Sequence, residues 1–69
     1  MASVDFKIVV NKSIGGMTIV HSLTEDAFDF ITDELQFGYL PNGDVVMDTD
    51  DVDAFVSEAE NAHFYSVIE

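Results

Sequence analysis

The stretch Val4–Val10, VDFKIVV, puts Phe6, Ile8 and Val10 on one side of an extended chain and Asp5 and Lys7 on the other. An apolar–polar period of two is the signature of a strand with one buried face. NKSIGG (11–16) then reads as a turn and MTIVHS (17–22) as a returning strand, so the chain opens on a hairpin. Further along, Ser22–Glu25 (SLTE) has the form of a capping box, with the Ser22 hydroxyl and the Glu25 carboxylate serving each other's backbone N–H. A helix is predicted from Leu23 to about Gln36, with Leu23, Ala27, Phe28, Phe30, Ile31 and Leu35 on its apolar half. Gly38 is the expected terminator of that helix or the entry to a strand.

YLPNGDVVM (39–47) reads as a second hairpin, with Pro41, Asn42 and Gly43 at its turn. Thr49 is the expected cap of a second helix, Asp50 to about Asn61, which buries Val52, Phe55, Val56 and Ala59. HFYSVIE closes the chain as a strand. The predicted order is ββα-ββα-β, an α+β class fold in one domain, residues 1–69, with a mostly antiparallel sheet and two helices packed on one face. Gly16, Asp26, Ala27 and Phe28 recur 27 positions later as Gly43, Asp53, Ala54 and Phe55. Two readings of that spacing stand side by side: an internal ββα duplication, or two halves that each need a turn glycine, a hydroxyl cap and a buried aromatic.

Size and composition narrow the function. The chain has 69 residues, no cysteine and 48% hydrophobic residues, so its core must hold by apolar packing alone. MASVDF shows no basic stretch followed by an apolar run, and no segment approaches membrane-spanning length, so the expected location is the cytoplasm. Fourteen acids face only Lys7 and Lys12, for a formal net charge of −12. Such a chain repels nucleic acid and anionic membrane and attracts basic surfaces. A domain of this length spans about 28 Å, over which B-DNA carries roughly 16 phosphate charges. Fourteen carboxylates are a comparable density.

The candidate site is therefore a charge pattern. Glu25, Asp26, Asp29 and Asp33 gather on one side of the first helix. Asp50, Asp51 and Asp53 open the second, which also carries Glu58 and Glu60, and Asp44 and Asp48 sit beside the second turn. Acids in a first helical turn suit the macrodipole. Ordinary solvated helices also mix signs, because opposite charges at i,i+4 stabilise and like charges cost about 0.2–0.5 kcal/mol per pair. Here no base lies beyond position 12.

Other chemistry fits poorly. A calcium loop starting at Asp48 would need an oxygen ligand at Val52, a glycine at Asp53 and a glutamate at Ala59. His21 and His63 have no ligand neighbours at metal spacing. Ser13, Ser22, Ser57 and Ser66 lie in no nucleophile motif. No catalytic residue, cofactor or metal is expected, and the reading is not of an enzyme.

TEDAFDFITDE (24–34) and MDTDDVDAFVSEAE (47–60) make the chain resemble, as a class, the small acidic phage-encoded anti-defence proteins: anti-restriction DNA mimics and acidic anti-CRISPR proteins. NKSIGGMTIVHSLTEDA also looks like a glycine-pair segment of phage proteins. The resemblance implies an inhibitor whose acids stand in for phosphates on a basic nucleic-acid-binding protein, with no direct contact to nucleic acid or membrane. Two alternatives come from the same composition. One is a salt-adapted acidic domain. The other is a self-associating accessory domain in which HFYSVI, apolar on both faces, meets a second copy as a homodimer.

Overall fold

The computed structural model describes residues 4–11 and 16–69. The turn expected at NKSIGG, with Lys12, lies mostly outside the described residues. The hairpin arms are β1 (Phe6–Asn11) and β2 (Met17–Ser22), antiparallel, with Ile8 opposite Val20. β3 (Val45–Asp48) pairs antiparallel with β2, and β4 (Ser66–Ile68) pairs parallel with β1. The sheet order is β3-β2-β1-β4. This is the expected α+β arrangement: a mostly antiparallel four-stranded sheet with two helices on one face.

Alternation decides which face the helices cover. Phe6, Ile8, Thr18, Val20, Val45 and Met47 are all buried on that side. Against them lie Ala27 and Ile31 from the first helical segment and Val52, Phe55 and Ala59 from the second. The radius of gyration is 11.1 Å, and among the described residues no helix is long and apolar enough to cross a membrane.

The first helix differs from the single α-helix read from the sequence. β2 runs on through Ser22, whose hydroxyl oxygen is buried beside Phe6, its partner in the ladder, and Leu23 donates its N–H to the Asp5 carbonyl. Ser22 is thus a strand residue, and the cap is Thr24, whose hydroxyl accepts from the Ala27 N–H at 3.1 Å. α1 covers only Glu25–Asp29 and widens into a π-turn over Phe30–Glu34. Thr32 donates its hydroxyl to the Phe28 carbonyl at 2.8 Å at that junction, a back-bond of the kind that bends helices. The segment ends at Gln36 with φ 60°, so Gln36 and not Gly38 is the terminator.

The second hairpin forms as a turn but not as a ladder. Gly43 donates to the Leu40 carbonyl and Leu40 to the Asp44 carbonyl, with Gly43 at φ 89°. The arm stops there, Tyr39 and Leu40 stay exposed, and β3 is an edge strand that pairs on one side only, with β2.

Thr49 does not cap by its side chain. It opens a 3-10 turn (Thr49–Asp51) before α2 (Val52–Asn61), and its hydroxyl is 2.9 Å from that of Thr18, a fully buried polar residue on β2. The two halves do not match element for element. Only one strand lies between the first helical segment and α2, and Ala27 is buried where its counterpart Ala54 is exposed.

α2 ends in a Schellman-type closure: Phe64 donates to the Ala59 carbonyl at 2.8 Å and His63 takes φ 66°. A left-handed conformation at a residue with a Cβ costs about 1–2 kcal/mol, which glycine avoids. His63→Gly is therefore expected to raise stability by about 0.5–1 kcal/mol, a few degrees in a thermal melt, after its greater unfolded-state freedom is subtracted. A glycine variant less stable than the parent would contradict this description of the helix end.

Candidate functional site

The helix layer holds ten of the fourteen acids: three in α1, two in the π-turn, two in the 3-10 turn and three in α2. All ten are exposed. Among the described residues none of these carboxylates accepts a hydrogen bond or meets a base within ion-pair distance. The contrast lies on the sheet side. Asp5 accepts from the Tyr65 N–H at 3.0 Å, Glu69 pairs with Lys7 at 3.3 Å, and Asp44 accepts from His21 Nδ1 at 2.7 Å. Asp44 also holds Asn42 within its turn. Three of the four sheet-side acids thus have partners, and Asp48, the fourth, is exposed at the end of β3.

This sorts the expected site residues. Glu25, Asp26, Asp29, Asp33, Asp50, Asp51, Asp53, Glu58 and Glu60 share the helix layer. Asp44 and Asp48 fall on the other side of the sheet, because they alternate with the inward-facing Val45 and Met47.

Within the helix layer the acids form rows. Asp26, Asp29, Asp33 and Glu34 line a cleft of about 270 Å³ with Phe30 and Phe64. The two rings lie 4.8 Å apart at 33°. Carboxylates around an aromatic surface suit a guanidinium or ammonium group, which gains from both ion pairing and the ring faces. Along α2 and the 3-10 turn before it the acids divide. Asp51 and Glu58 are seven residues apart, as are Asp53 and Glu60, and each pair returns to nearly the same side after two turns of about 3.6 residues. The two rows flank the buried stripe Val52–Phe55–Ala59. Asp51 and Glu58 border a second, mainly apolar cleft of about 280 Å³, lined also by Leu35, Phe37, Ala54 and Phe55.

The sequence reading omitted Glu34, although a signal was there: it follows Phe30 by four and Asp26 by eight, on the same stripe. Phe64 had no such signal, since it reaches the cleft only through the chain reversal at His63. No protein-family model, curated protein or solved structure matches the chain, so the chemistry of the site rests on these residues.

Like charges three and four residues apart cost about 0.2–0.5 kcal/mol per pair, and salt screens them. Asp29→Asn and Asp33→Asn together, both beyond the first turn of α1, are expected to raise the melting temperature in dilute buffer by a few degrees. In about 0.5 M NaCl, where the Debye length falls to a few ångströms, that gain should shrink markedly. An unchanged or lowered melting temperature in dilute buffer would mean that the row carries no electrostatic strain.

Proposed function

We propose that this protein is a stoichiometric inhibitor that binds and blocks the basic nucleic-acid-binding surface of another protein, such as a host nuclease or defence complex, by presenting carboxylates in place of phosphates. The observation that carries the reading is the segregation of charge. Sheet-side acids are mostly tied to partners, whereas the ten helix-layer acids are exposed and uncompensated among the described residues. Salt adaptation alone gives no reason for the two sides to differ.

Such a layer attracts lysines and arginines at long range, speeds encounter, and makes affinity fall with salt. The Phe30–Phe64 cleft adds a place where an arginine of the partner can stack as well as pair. The reading is of binding and not of catalysis, and the site of action is wherever the nucleic-acid enzyme works, in the cytoplasm of a host cell.

The test is a tagged-protein pull-down from a bacterial lysate, washed at rising salt. One nucleic-acid enzyme retained at one-to-one stoichiometry and displaced by duplex DNA is the expected result. Asp50→Lys, Asp51→Lys and Asp53→Lys combined should abolish that retention while far-UV circular dichroism stays the same. A smear of basic proteins lost at the first salt step would contradict the proposal, as would undiminished retention by the folded triple variant.

A further inference from the structure

Between Leu40 and Asp44 the chain closes tightly around the pair Asn42–Gly43. An outer bond runs from the Leu40 N–H to the Asp44 carbonyl at 2.7 Å, and Gly43 donates its N–H to the Leu40 carbonyl at 2.8 Å. Pro41 fixes φ at the first corner, and Gly43, at φ 89°, takes the left-handed position that a Cβ would strain. The Asn42 side chain is gripped at both ends by one residue. Its Oδ1 accepts from the Asp44 backbone N–H at 3.0 Å, and its Nδ2 donates to the Asp44 carboxylate at 3.2 Å. The other oxygen of that carboxylate accepts from His21 Nδ1 at 2.7 Å, which anchors the grip to β2.

We propose that Asn42–Gly43 is a site of self-modification, at which Asn42 loses ammonia and becomes an aspartyl or isoaspartyl residue, and that the Asp44 grip sets the rate. An asparagine followed by glycine is open to this reaction because glycine has no Cβ to keep its nitrogen away from the neighbouring side chain. Asn42 is exposed, and its pair with Gly43 is the one Asn–Gly pair in the chain, since Asn11 precedes Lys12 and Asn61 precedes Ala62. In the first step the Gly43 nitrogen gives up its proton to a solvent base and bonds to the Asn42 side-chain carbon. The bond to Nδ2 breaks, and Nδ2 leaves as ammonia with a proton from water. Water then opens the five-membered imide. Opening at the side-chain carbonyl gives aspartate, and opening at the backbone carbonyl routes the chain through the side chain as isoaspartate. Water is the only co-reactant, and nothing is oxidised or reduced.

The closed turn opposes the first step twice. The Gly43 proton that must leave is held by Leu40, and the Asn42 amide that must swing onto the Gly43 nitrogen is held by Asp44. Conversion therefore runs through the molecules in which this turn is locally open. Afterwards the turn cannot close as before. A carboxylate oxygen stands where the Nδ2 donor met the Asp44 carboxylate, so an attraction becomes a repulsion, and the chain is one unit more negative than −12. The loop is a one-way switch at the start of β3, apart from the helix layer, and the inference does not depend on the proposed function.

The experiment holds the full chain in buffer near neutral pH for several weeks. Samples are digested and fragmented in a mass spectrometer so that asparaginyl, aspartyl and isoaspartyl forms are told apart. Both products should accumulate at position 42 ahead of any change at Asn11 or Asn61. The chain unfolded in urea should convert faster than the folded chain. Asp44→Ala, shown to be folded by circular dichroism, should convert about two- to tenfold faster than the parent, the effect of one net hydrogen bond lost from the closed turn. If that variant misfolds, the comparison of folded and unfolded parent still tests the grip. Asn42 intact in the folded chain at the end of that time would overturn the proposal. So would equal rates in the folded and unfolded chains, or a folded Asp44→Ala variant no faster than the parent.

Discussion

The edge-to-face contact of Phe6 and Phe55, ring centroids 5.0 Å apart at 80°, ties an inner strand of the sheet to α2, and both residues are almost wholly buried. From this contact an aromatic chain runs outward in two directions. Phe55 meets Phe37 at 6.3 Å, which brings the exit of the π-turn against α2, and Phe6 meets Phe64 at 6.1 Å, which in turn meets Phe30. Each such pair is worth about 0.5–1.5 kcal/mol beyond the area it buries. In a 69-residue chain without disulfides, whose whole stability is on the order of 3–10 kcal/mol, that is a substantial share. The same chain forms the floor of both clefts, so the core and the acidic surface share residues.

This coupling explains how the fold carries its charge. Repulsion within the helix layer is spread over several exposed pairs, each a fraction of a kcal/mol, while the aromatic contacts lie beneath in a region that salt does not reach. The apolar packing sets the position of the acids, and the acids in turn are free of structural duty. On the sheet side the relation is reversed. Asp5 and Asp44 hold turns and strand ends, and their carboxylates are occupied in doing so.

The strands and the inward stripe of α2 were legible in the sequence because period two and the Val52–Phe55–Ala59 spacing each report burial directly. Fold class followed from them. The departures have local causes. Ser22 satisfies the capping pattern, but the β1–β2 ladder reaches it first, and the cap passes to Thr24. Gln36 and His63 take left-handed conformations that composition assigns to glycine, because the helix ends are set by where Phe37 and Phe64 must pack. The Pro41-Asn42-Gly43 turn was readable, yet the pairing of β3 with β2 was not, since no local pattern says which strand edge a distant segment joins. The acids were identifiable one by one. Their division between two sides of the sheet, and into two rows on α2, follows only from the packing.

On the proposed function the helix layer receives cationic groups and the sheet side does not. The most direct measurement is a two-dimensional amide NMR titration of the ¹⁵N-labelled chain with a short arginine-rich peptide. Saturable shifts are expected, concentrated in residues 25–34 and 50–64, largest beside Phe30 and Phe64, and lost as salt is raised. Shifts spread evenly over both faces, or centred on Asp44, Asp48 and the sheet, would contradict it.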